Sequence, residues 1–214
     1  MGGLLLAVLA AGCVTDGSMR AQPVKAIQGP VVLHRGTSIL REPRQLGRDY
    51  AYPARMTKQV FSWENNGEAE WKVTLEPSRY AFAGFTFRRP YDFASNRERF
   101  GIKFRMRPAG VADHLAICLL DGKQKEPQVL VELPLTPFRT TRRGDWDYFL
   151  VRLDAFDAPG RIVTALTPEG EPYGQPIDWS DISEIRISSL ASKRPVTEVT
   201  IRQLKFTPVR LPEG

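Results

Sequence analysis

The chain has 214 residues, of which 42% are hydrophobic and 25% are charged, a composition typical of a globular protein with one sizeable core. Its 30 Lys and Arg residues against 24 Asp and Glu residues give a net charge of +6, which favours acidic partners. Two cysteines are too few for a disulfide-stapled fold, so the stability of the fold must come from burial.

The N-terminus predicts export. Leu4 to Ala11 is a short apolar run without charge, far below the roughly 18 to 20 residues of a membrane-spanning helix. The segment Leu9-Ala10-Ala11-Gly12-Cys13 resembles the lipobox of bacterial lipoproteins, in which the cysteine is acylated and becomes the new N-terminus. The resemblance implies a signal peptide over residues 1–12, a lipid on Cys13 and anchoring to the bacterial cell envelope. The alternatives are an ordinary cleaved signal peptide and a chance apolar N-terminus.

After the signal, we expect a flexible tether and one domain. Residues 13–29 are polar and lack apolar periodicity, which is typical of a tether. Residues 30–210 form the predicted domain. Pro30 to His34 predicts a short first strand, and residues 35–58, which Gly and Pro interrupt, predict a loop-rich lead-in.

From residue 59 onward, short apolar runs alternate with turn residues, which predicts an all-β sandwich or barrel. Asn65-Asn66-Gly67 predicts a hairpin turn between the first two of these strands. The predicted strands are Gln59 to Trp63, Glu70 to Leu75, Ala81 to Phe87, Phe100 to Met106, Leu115 to Leu120, Val129 to Leu133, Trp146 to Leu153, Glu184 to Leu190 and Val196 to Phe206.

The segment at 100–107 has the clearest strand pattern. Its aromatic and aliphatic residues alternate with Lys103, Arg105 and Arg107, so one face is apolar and the other is basic. The segment at 184–188 repeats the pattern. Near Arg202 and Gln203 the apolar residues change phase, which predicts a β-bulge. Strands with one charged face indicate two packed antiparallel sheets.

This pattern resembles the jelly-roll carbohydrate-binding modules and the galactose-binding-like domains, and it is similar to the complex I intermediate-associated protein 30 family. The residues that carry the resemblance are Tyr80-Ala-Phe82-Ala-Gly84-Phe85, Tyr91-Asp92-Phe93, the strand at 100–107, Trp146 to Phe156, Ile177 to Ile185 and Val199 to Phe206. The resemblance implies an all-β fold, a two-sheet antiparallel β-sandwich of the jelly-roll, galactose-binding-like type. Such families often have acidic residues in the last strand, where this chain has Arg202 and Gln203.

Motifs of catalysis are absent from the sequence. It contains no nucleophile elbow, no zinc-protease helix, no P-loop and no dinucleotide fingerprint. Two carboxylate pairs, Glu68 with Glu70 and Asp178 with Asp181, are more typical of a solvated rim than of a glycosidase. We therefore predict no catalytic residue and no cofactor. The sequence leaves open a structural calcium ion held by oxygen ligands.

A ligand-binding face has better support, because sugar-binding sandwiches use aromatic rings and planar polar side chains. Trp63 and Trp71 are further aromatic candidates, and Cys118 is expected to be a core residue. The opposite interpretation, that these Trp residues are core and the charged rows are solvated sheet, stays open. The predicted ligand-binding residues are Lys103, Arg105, Arg107, Trp146, Trp179, Arg186 and Arg202.

Three functions fit these observations. The first is a noncatalytic envelope lipoprotein that binds carbohydrate, and an acidic polysaccharide would suit the arginine residues. The second is a structural or assembly lipoprotein that binds a protein partner. The third is a glycan-active hydrolase or lyase. In each case the membrane is reached through the lipid anchor, and nucleic acid is not an expected partner.

Overall fold

The computed structural model describes residues 30–39, 46–52, 57–63, 69–76, 80–122, 128–163, 176–190 and 198–210. The signal peptide 1–12, Cys13, the tether 13–29 and the turn Asn65-Asn66-Gly67 lie outside these ranges. Within them, helical structure is confined to 3-10 turns at Arg97–Arg99, Ala112–His114, Thr136–Phe138 and Leu153–Asp157. No helix in the described ranges has the length and apolar character needed to cross a membrane.

Within the described ranges the strands, numbered in chain order, form two seven-stranded sheets. Sheet A contains β1 (Val31–Val32), β3 (Leu46–Tyr52), β6 (Phe82–Asp92), β8 (Leu115–Asp121), β9 (Gln128–Pro134), β12 (Arg161–Val163) and β13 (Ile182–Ser189). Its order is β1-β6-β13-β8-β9-β12, and β3 also pairs with β6. All of these pairs are antiparallel except the short pair of β1 with β6.

Sheet B contains β2 (Thr37–Ser38), β4 (Lys58–Trp63), β5 (Ala69–Thr74), β7 (Phe100–Arg107), β10 (Arg139–Arg143), β11 (Trp146–Arg152) and β14 (Glu198–Pro208). Its order is β10-β11-β7-β14-β5-β4, and β2 also pairs with β14. Every pair in this sheet is antiparallel. The predicted two-sheet antiparallel sandwich is therefore confirmed.

Aromatic side chains from both sheets form the core. Trp71 of sheet B meets Phe85 of sheet A edge to face, with ring centroids 5.3 Å apart. At the other end, Phe206 contacts Tyr91 at 5.0 Å and Phe93 at 4.9 Å. Burial of such large rings is the main stabilising contribution available to a fold whose described cysteine, Cys118, is free.

The predicted alternation in β7 is confirmed. Phe100, Ile102, Phe104 and Met106 are at most 4% exposed, whereas Lys103 is exposed. The bulge in β14 is confirmed as well, because its register against β7 shifts between Arg202 and Lys205. Gln203 lies at the shift with a φ of 55°, a left-handed conformation that few non-glycine residues adopt.

The loop-rich lead-in expected at 35–58 is corrected by the structure, because β2 and β3 lie inside it. Gly47 and Pro53 mask the pattern in the sequence, and β3 forms because the edge of β6 supplies its hydrogen bonds. The sequence pattern also misses β10, an edge strand whose five residues are all exposed. A strand with two solvated faces carries no apolar alternation that a sequence could reveal.

Candidate functional site

Four of the predicted ligand-binding residues come together on the outer face of sheet B. Arg105 lies opposite Arg202 in the pairing of β7 with β14. The guanidinium carbons of Arg105, Arg107 and Arg202 are 4.7, 5.2 and 5.8 Å from the centre of the Trp146 ring. We call Arg105, Arg107, Trp146 and Arg202 the arginine–tryptophan cluster. These distances are within the cation–π range, so the half-buried indole helps to order the guanidinium groups.

Glu70 of β5 anchors one side of this cluster. Arg202 donates hydrogen bonds to its carboxylate at 2.5 Å, and Lys72 lies 3.4 Å away. Desolvation acts to raise the pKa of Glu70, but the bond from Arg202 and the charge of Lys72 outweigh it and lower the pKa below its ordinary value. Glu70 is therefore an ion-paired residue and a poor candidate for a catalytic acid.

Lys103 lies on the same face of β7 and is exposed, and its partner across the pair with β14 is Lys205. Arg186 does not lie on this face. It belongs to β13 of sheet A and is only 6% exposed, so the expectation that it shares one open face with Arg105 is wrong. The alternation of β13 sets the direction of its side chain, but the sheet to which a strand belongs depends on pairings distant in sequence.

Trp179 also lies away from any open face. It is 8% exposed, packs in the main core and donates its indole N–H to Asp157 at 2.8 Å. Trp71 is fully buried, and its indole N–H donates to Gln59 at 2.9 Å. For both residues the core interpretation fits the structure. The side chain of Trp63 is outside the described part.

The outer face of sheet A carries a second group of polar and aromatic side chains, of which sequence reasoning identified only Arg186. The pairing register places Tyr50, Gly84, Arg186, Cys118 and Glu132 in one row across β3, β6, β13, β8 and β9. Tyr52 and Phe82 lie in the adjacent row. We call this surface the tyrosine face, and it is formed by Tyr50, Tyr52, Tyr80, Phe82, Gln128, Glu132, Glu184 and Arg186.

One hydrogen-bonded group on the tyrosine face is centred on Glu184. The Nε of Arg186 donates to the Tyr50 hydroxyl at 2.5 Å, and that hydroxyl donates to a Glu184 oxygen. The Nη2 of Arg186 lies 3.3 Å from the same oxygen, and Gln128 donates to the other at 3.4 Å. Three strands that are distant in sequence therefore hold one carboxylate in place.

A second group is centred on Glu132. The hydroxyl of Tyr80 donates to Glu132 at 3.1 Å, and the hydroxyl of Ser188 donates to the same oxygen. The Cys118 thiol lies 3.6 Å from this oxygen and is fully buried in a small cluster with Leu120 and Leu130. Burial raises the pKa of the Cys118 thiol, which favours its protonated, less nucleophilic form. The residue lies behind the tyrosine face and not in the main core.

Aromatic rings link the two groups. Phe82 lies at the centre, with ring-centroid distances of 6.0, 5.6 and 6.1 Å to Tyr50, Tyr52 and Tyr80. The guanidinium of Arg186 stacks over Phe82 at 4.6 Å and over Tyr50 at 5.0 Å. Burial raises the pKa of the Tyr50 and Tyr80 phenols above the ordinary value, so both keep their protons at neutral pH.

Glycine is required at position 84. A Cβ there would lie 2.6 Å from the Cγ of Arg186 and 2.7 Å from the carbonyl oxygen of Ile185. Because such distances are far below van der Waals contact, the stem of Arg186 can cross β6 only over a residue without a side chain. Gln59 of sheet B supports this point by donating to the carbonyl oxygens of Gly84 and Tyr50 at 2.9 and 2.8 Å.

The tyrosine face has a buried floor and a half-exposed rim. Arg186, Glu184 and Phe82 are buried, whereas Tyr50 and Tyr80 are half-buried, as are Tyr52, Gln128 and Glu132. The Nη1 of Arg186 is buried and has no hydrogen-bond partner among the described residues. A buried donor without a partner is costly, so this atom is suited to an acceptor on a ligand.

The described residues give no separate support to catalysis or metal binding. Asp178 accepts hydrogen bonds from the backbone and hydroxyl of Ser180, as expected of a turn residue, and Glu68 lies outside the described ranges. No three His, Cys, Asp or Glu side chains within the described ranges are grouped so that they could hold a metal ion.

Comparison with known proteins places the fold. A scan against models of protein families finds no match, and a search of curated proteins also finds none. Among solved structures, the family 11 carbohydrate-binding module from Clostridium thermocellum, in complex with a β-1,3-1,4-mixed-linked tetrasaccharide, aligns with a TM-score of 0.51. It is 11% identical, and the alignment covers 81% of this chain and 94% of the module.

The family 30 carbohydrate-binding module of a cellulosomal cellulase of Clostridium thermocellum aligns with a TM-score of 0.55. It is 12% identical, and the alignment covers 80% of this chain and 96% of the module. The chain therefore has the jelly-roll sandwich fold of these modules. At such low identity the similarity defines the fold, and the function has to be argued from the site.

Proposed function

We propose that the protein is a noncatalytic, lipid-anchored protein of the bacterial cell envelope that binds carbohydrate through the tyrosine face. The observation that carries the proposal is the combination, on one face, of four aromatic rings with two hydrogen-bonded carboxylates and a buried arginine. The similar family 11 module, whose structure is a complex with a mixed-linked tetrasaccharide, gives independent support.

The chemistry of the face fits a neutral sugar chain. Flat aromatic rings stack on the C–H side of a pyranose, and the carboxylates and the Gln128 amide bond to hydroxyl groups. The charge of Arg186 is offset by Glu184 at 3.3 Å, so the floor of the face is not a strong anion site. Both carboxylates also accept hydrogen bonds from protein donors, which suits orientation of a ligand better than general acid catalysis.

The test is isothermal titration calorimetry with a β-1,3-1,4-mixed-linked glucan tetrasaccharide, followed by a panel of neutral β-glucans. We expect Tyr52→Ala and Tyr80→Ala each to weaken binding about tenfold, which corresponds to the loss of about 1.4 kcal/mol of stacking. The matched control is Tyr148→Ala, because Tyr148 is a half-buried tyrosine on the outer face of sheet B. We expect it to leave the affinity unchanged.

Three results would contradict this proposal. If no neutral glycan of the panel binds, the tyrosine face is not a site for neutral carbohydrate. If Tyr148→Ala loses as much affinity as Tyr52→Ala and Tyr80→Ala, the binding site is not on the tyrosine face. Release of reducing sugar ends during incubation with a glucan would contradict the noncatalytic part alone.

The lipid anchor is tested separately. If Cys13 is acylated, mass spectrometry of the membrane fraction shows a mature N-terminus at residue 13 with diacylglycerol on the cysteine. We expect Cys13→Ser to leave the signal peptide uncleaved or to release the protein from the membrane. A soluble product that begins at another residue would contradict the anchor and leave the carbohydrate site untouched.

A further inference from the structure

On the outer face of sheet B, the described basic side chains outnumber the acidic side chains that could neutralise them. In the pairs of β7 with β14, Arg105 lies opposite Arg202 and Lys103 lies opposite Lys205. Like charges directly opposite each other destabilise an antiparallel pair. Glu70 lies on the Arg202 side of this face, where it also meets Lys72 and Arg107. Among the described residues, neither Arg105 nor Lys103 forms an ion pair.

Among the described residues, Arg105 lacks a hydrogen-bond partner for one N–H group as well as an ion pair. Its Nε is buried and has no hydrogen-bond partner in the described part of the chain, although its guanidinium lies 4.7 Å from the Trp146 ring centre. A cation–π contact stabilises the charge but satisfies no N–H group. Stacking therefore orders this arginine while leaving a donor for an external acceptor.

The cations form a line along one strand. Lys103, Arg105 and Arg107 are alternate residues of β7, so their side chains leave the strand about 6.6 Å apart on one face. A pocket of about 230 Å³ adjoins the line at Arg107. Its lining also includes Lys72, Thr200 and two acidic residues, Asp145 and Glu198. This volume is below the roughly 300 to 1,000 Å³ of sites that enclose a whole small molecule, so the pocket suits one residue of a longer chain.

We propose that the arginine–tryptophan cluster, extended by Lys103, is a second binding site that takes a polysaccharide bearing carboxylate or sulfate groups. A polymer with regularly repeated anions matches a line of regularly spaced cations, and planar guanidinium groups bond carboxylate and sulfate with two N–H groups at once. The site lies on the opposite sheet from the tyrosine face and goes beyond the proposed function, because it recognises charge and the tyrosine face recognises neutral sugar.

The test is affinity electrophoresis and calorimetry of the purified full-length protein with polygalacturonate and with dextran sulfate, using uncharged dextran as the reference polymer. We expect the double variant Arg105→Ala, Arg107→Ala to bind either anionic polymer at least about tenfold more weakly than the unchanged protein. The matched control is the double variant Arg88→Ala, Arg89→Ala, which removes two exposed arginines from β6 of sheet A. We expect it to change the affinity less than about twofold.

A salt titration and an arginine-to-lysine variant distinguish specific recognition of the anionic groups from general charge attraction. We expect affinity to fall when NaCl rises from about 0.1 M to about 1 M, since the screening length shortens from about 10 Å to about 3 Å. The variant Arg105→Lys, Arg107→Lys keeps the charge but loses the two-pronged donor, and we expect intermediate affinity. Unchanged melting temperatures of all variants show that the fold is intact.

The proposal is overturned if the Arg105, Arg107 double variant keeps full affinity, or if the Arg88, Arg89 variant loses as much. It is also overturned if neither anionic polymer binds while vesicles of phosphatidylglycerol do, because the face would then lie against a membrane. Binding of the mixed-linked glucan is measured in parallel. If Tyr80→Ala weakens binding of the glucan but leaves binding of polygalacturonate unchanged, the two sites are independent.

Discussion

Replacement of Phe104 by alanine is expected to lower the free energy of unfolding by about 3 to 5 kcal/mol, the cost of a large cavity in a packed core. Phe104 is 1% exposed, and its ring stacks on that of Phe149 with centroids 4.8 Å apart. These two residues are directly paired in β7 and β11, so the truncation removes a stacked pair at the centre of sheet B. Chemical denaturation followed by circular dichroism measures the change.

The control for this prediction is the next residue toward the N-terminus. Lys103 is exposed on the opposite face of the same strand, and we expect Lys103→Ala to change the free energy of unfolding by no more than about 0.5 kcal/mol. If both variants lose similar stability, or if Phe104→Ala loses less than about 1 kcal/mol, the assignment of the inner face of β7 is wrong.

The strand β7 also shows which part of a fold can be predicted from sequence. Its apolar and basic residues alternate over the six positions 102–107, and the structure places them on opposite faces as expected. The same reasoning succeeds only partly for β13. The direction of Arg186 relative to Ile185 and Ile187 follows from the alternation, but all eight residues of β13 are buried. The alternation period of a strand predicts the direction in which each side chain points. The exposure of that side chain depends on the groups that neighbouring strands place over it.

The two candidate sites also differ in how far they can be predicted from the sequence. Arg105, Arg107 and Trp146 come together because β7 and β11 pair in sheet B, and the sequence pattern already indicated a basic face. The tyrosine face could not be predicted from sequence. The bond between Tyr50 and Glu184 joins residues 134 positions apart, and Tyr50 belongs to a strand that Gly47 and Pro53 conceal. The repeated aromatic residues near Phe82 were a signal, but nothing in the sequence paired them with Glu132.

The burial of Arg186 gives the second large expected effect. The sequence alone suggests an open position, where replacement would leave stability unchanged. In the structure, burial acts against the charged guanidinium, but the oxygens of Tyr50 and Glu184 outweigh it and raise the pKa of Arg186 above its ordinary value. Arg186→Ala leaves the buried Glu184 carboxylate without its cation, and we expect a loss of about 3 to 5 kcal/mol in the free energy of unfolding.

A double-mutant cycle with Glu184→Gln tests the cause. Because the glutamine carries no charge, the Arg186→Ala substitution is expected to cost less in the Glu184→Gln background than in the unchanged protein, with a coupling of about 1 to 3 kcal/mol. Arg105→Ala is the matched arginine control, because the Arg105 side chain is half-buried on the outer face of sheet B. We expect this substitution to lower the free energy of unfolding by less than about 1 kcal/mol. Equal losses for Arg186→Ala in the two backgrounds would show that the ring contacts with Phe82 and Tyr50, and not the ion pair, hold Arg186 in the face.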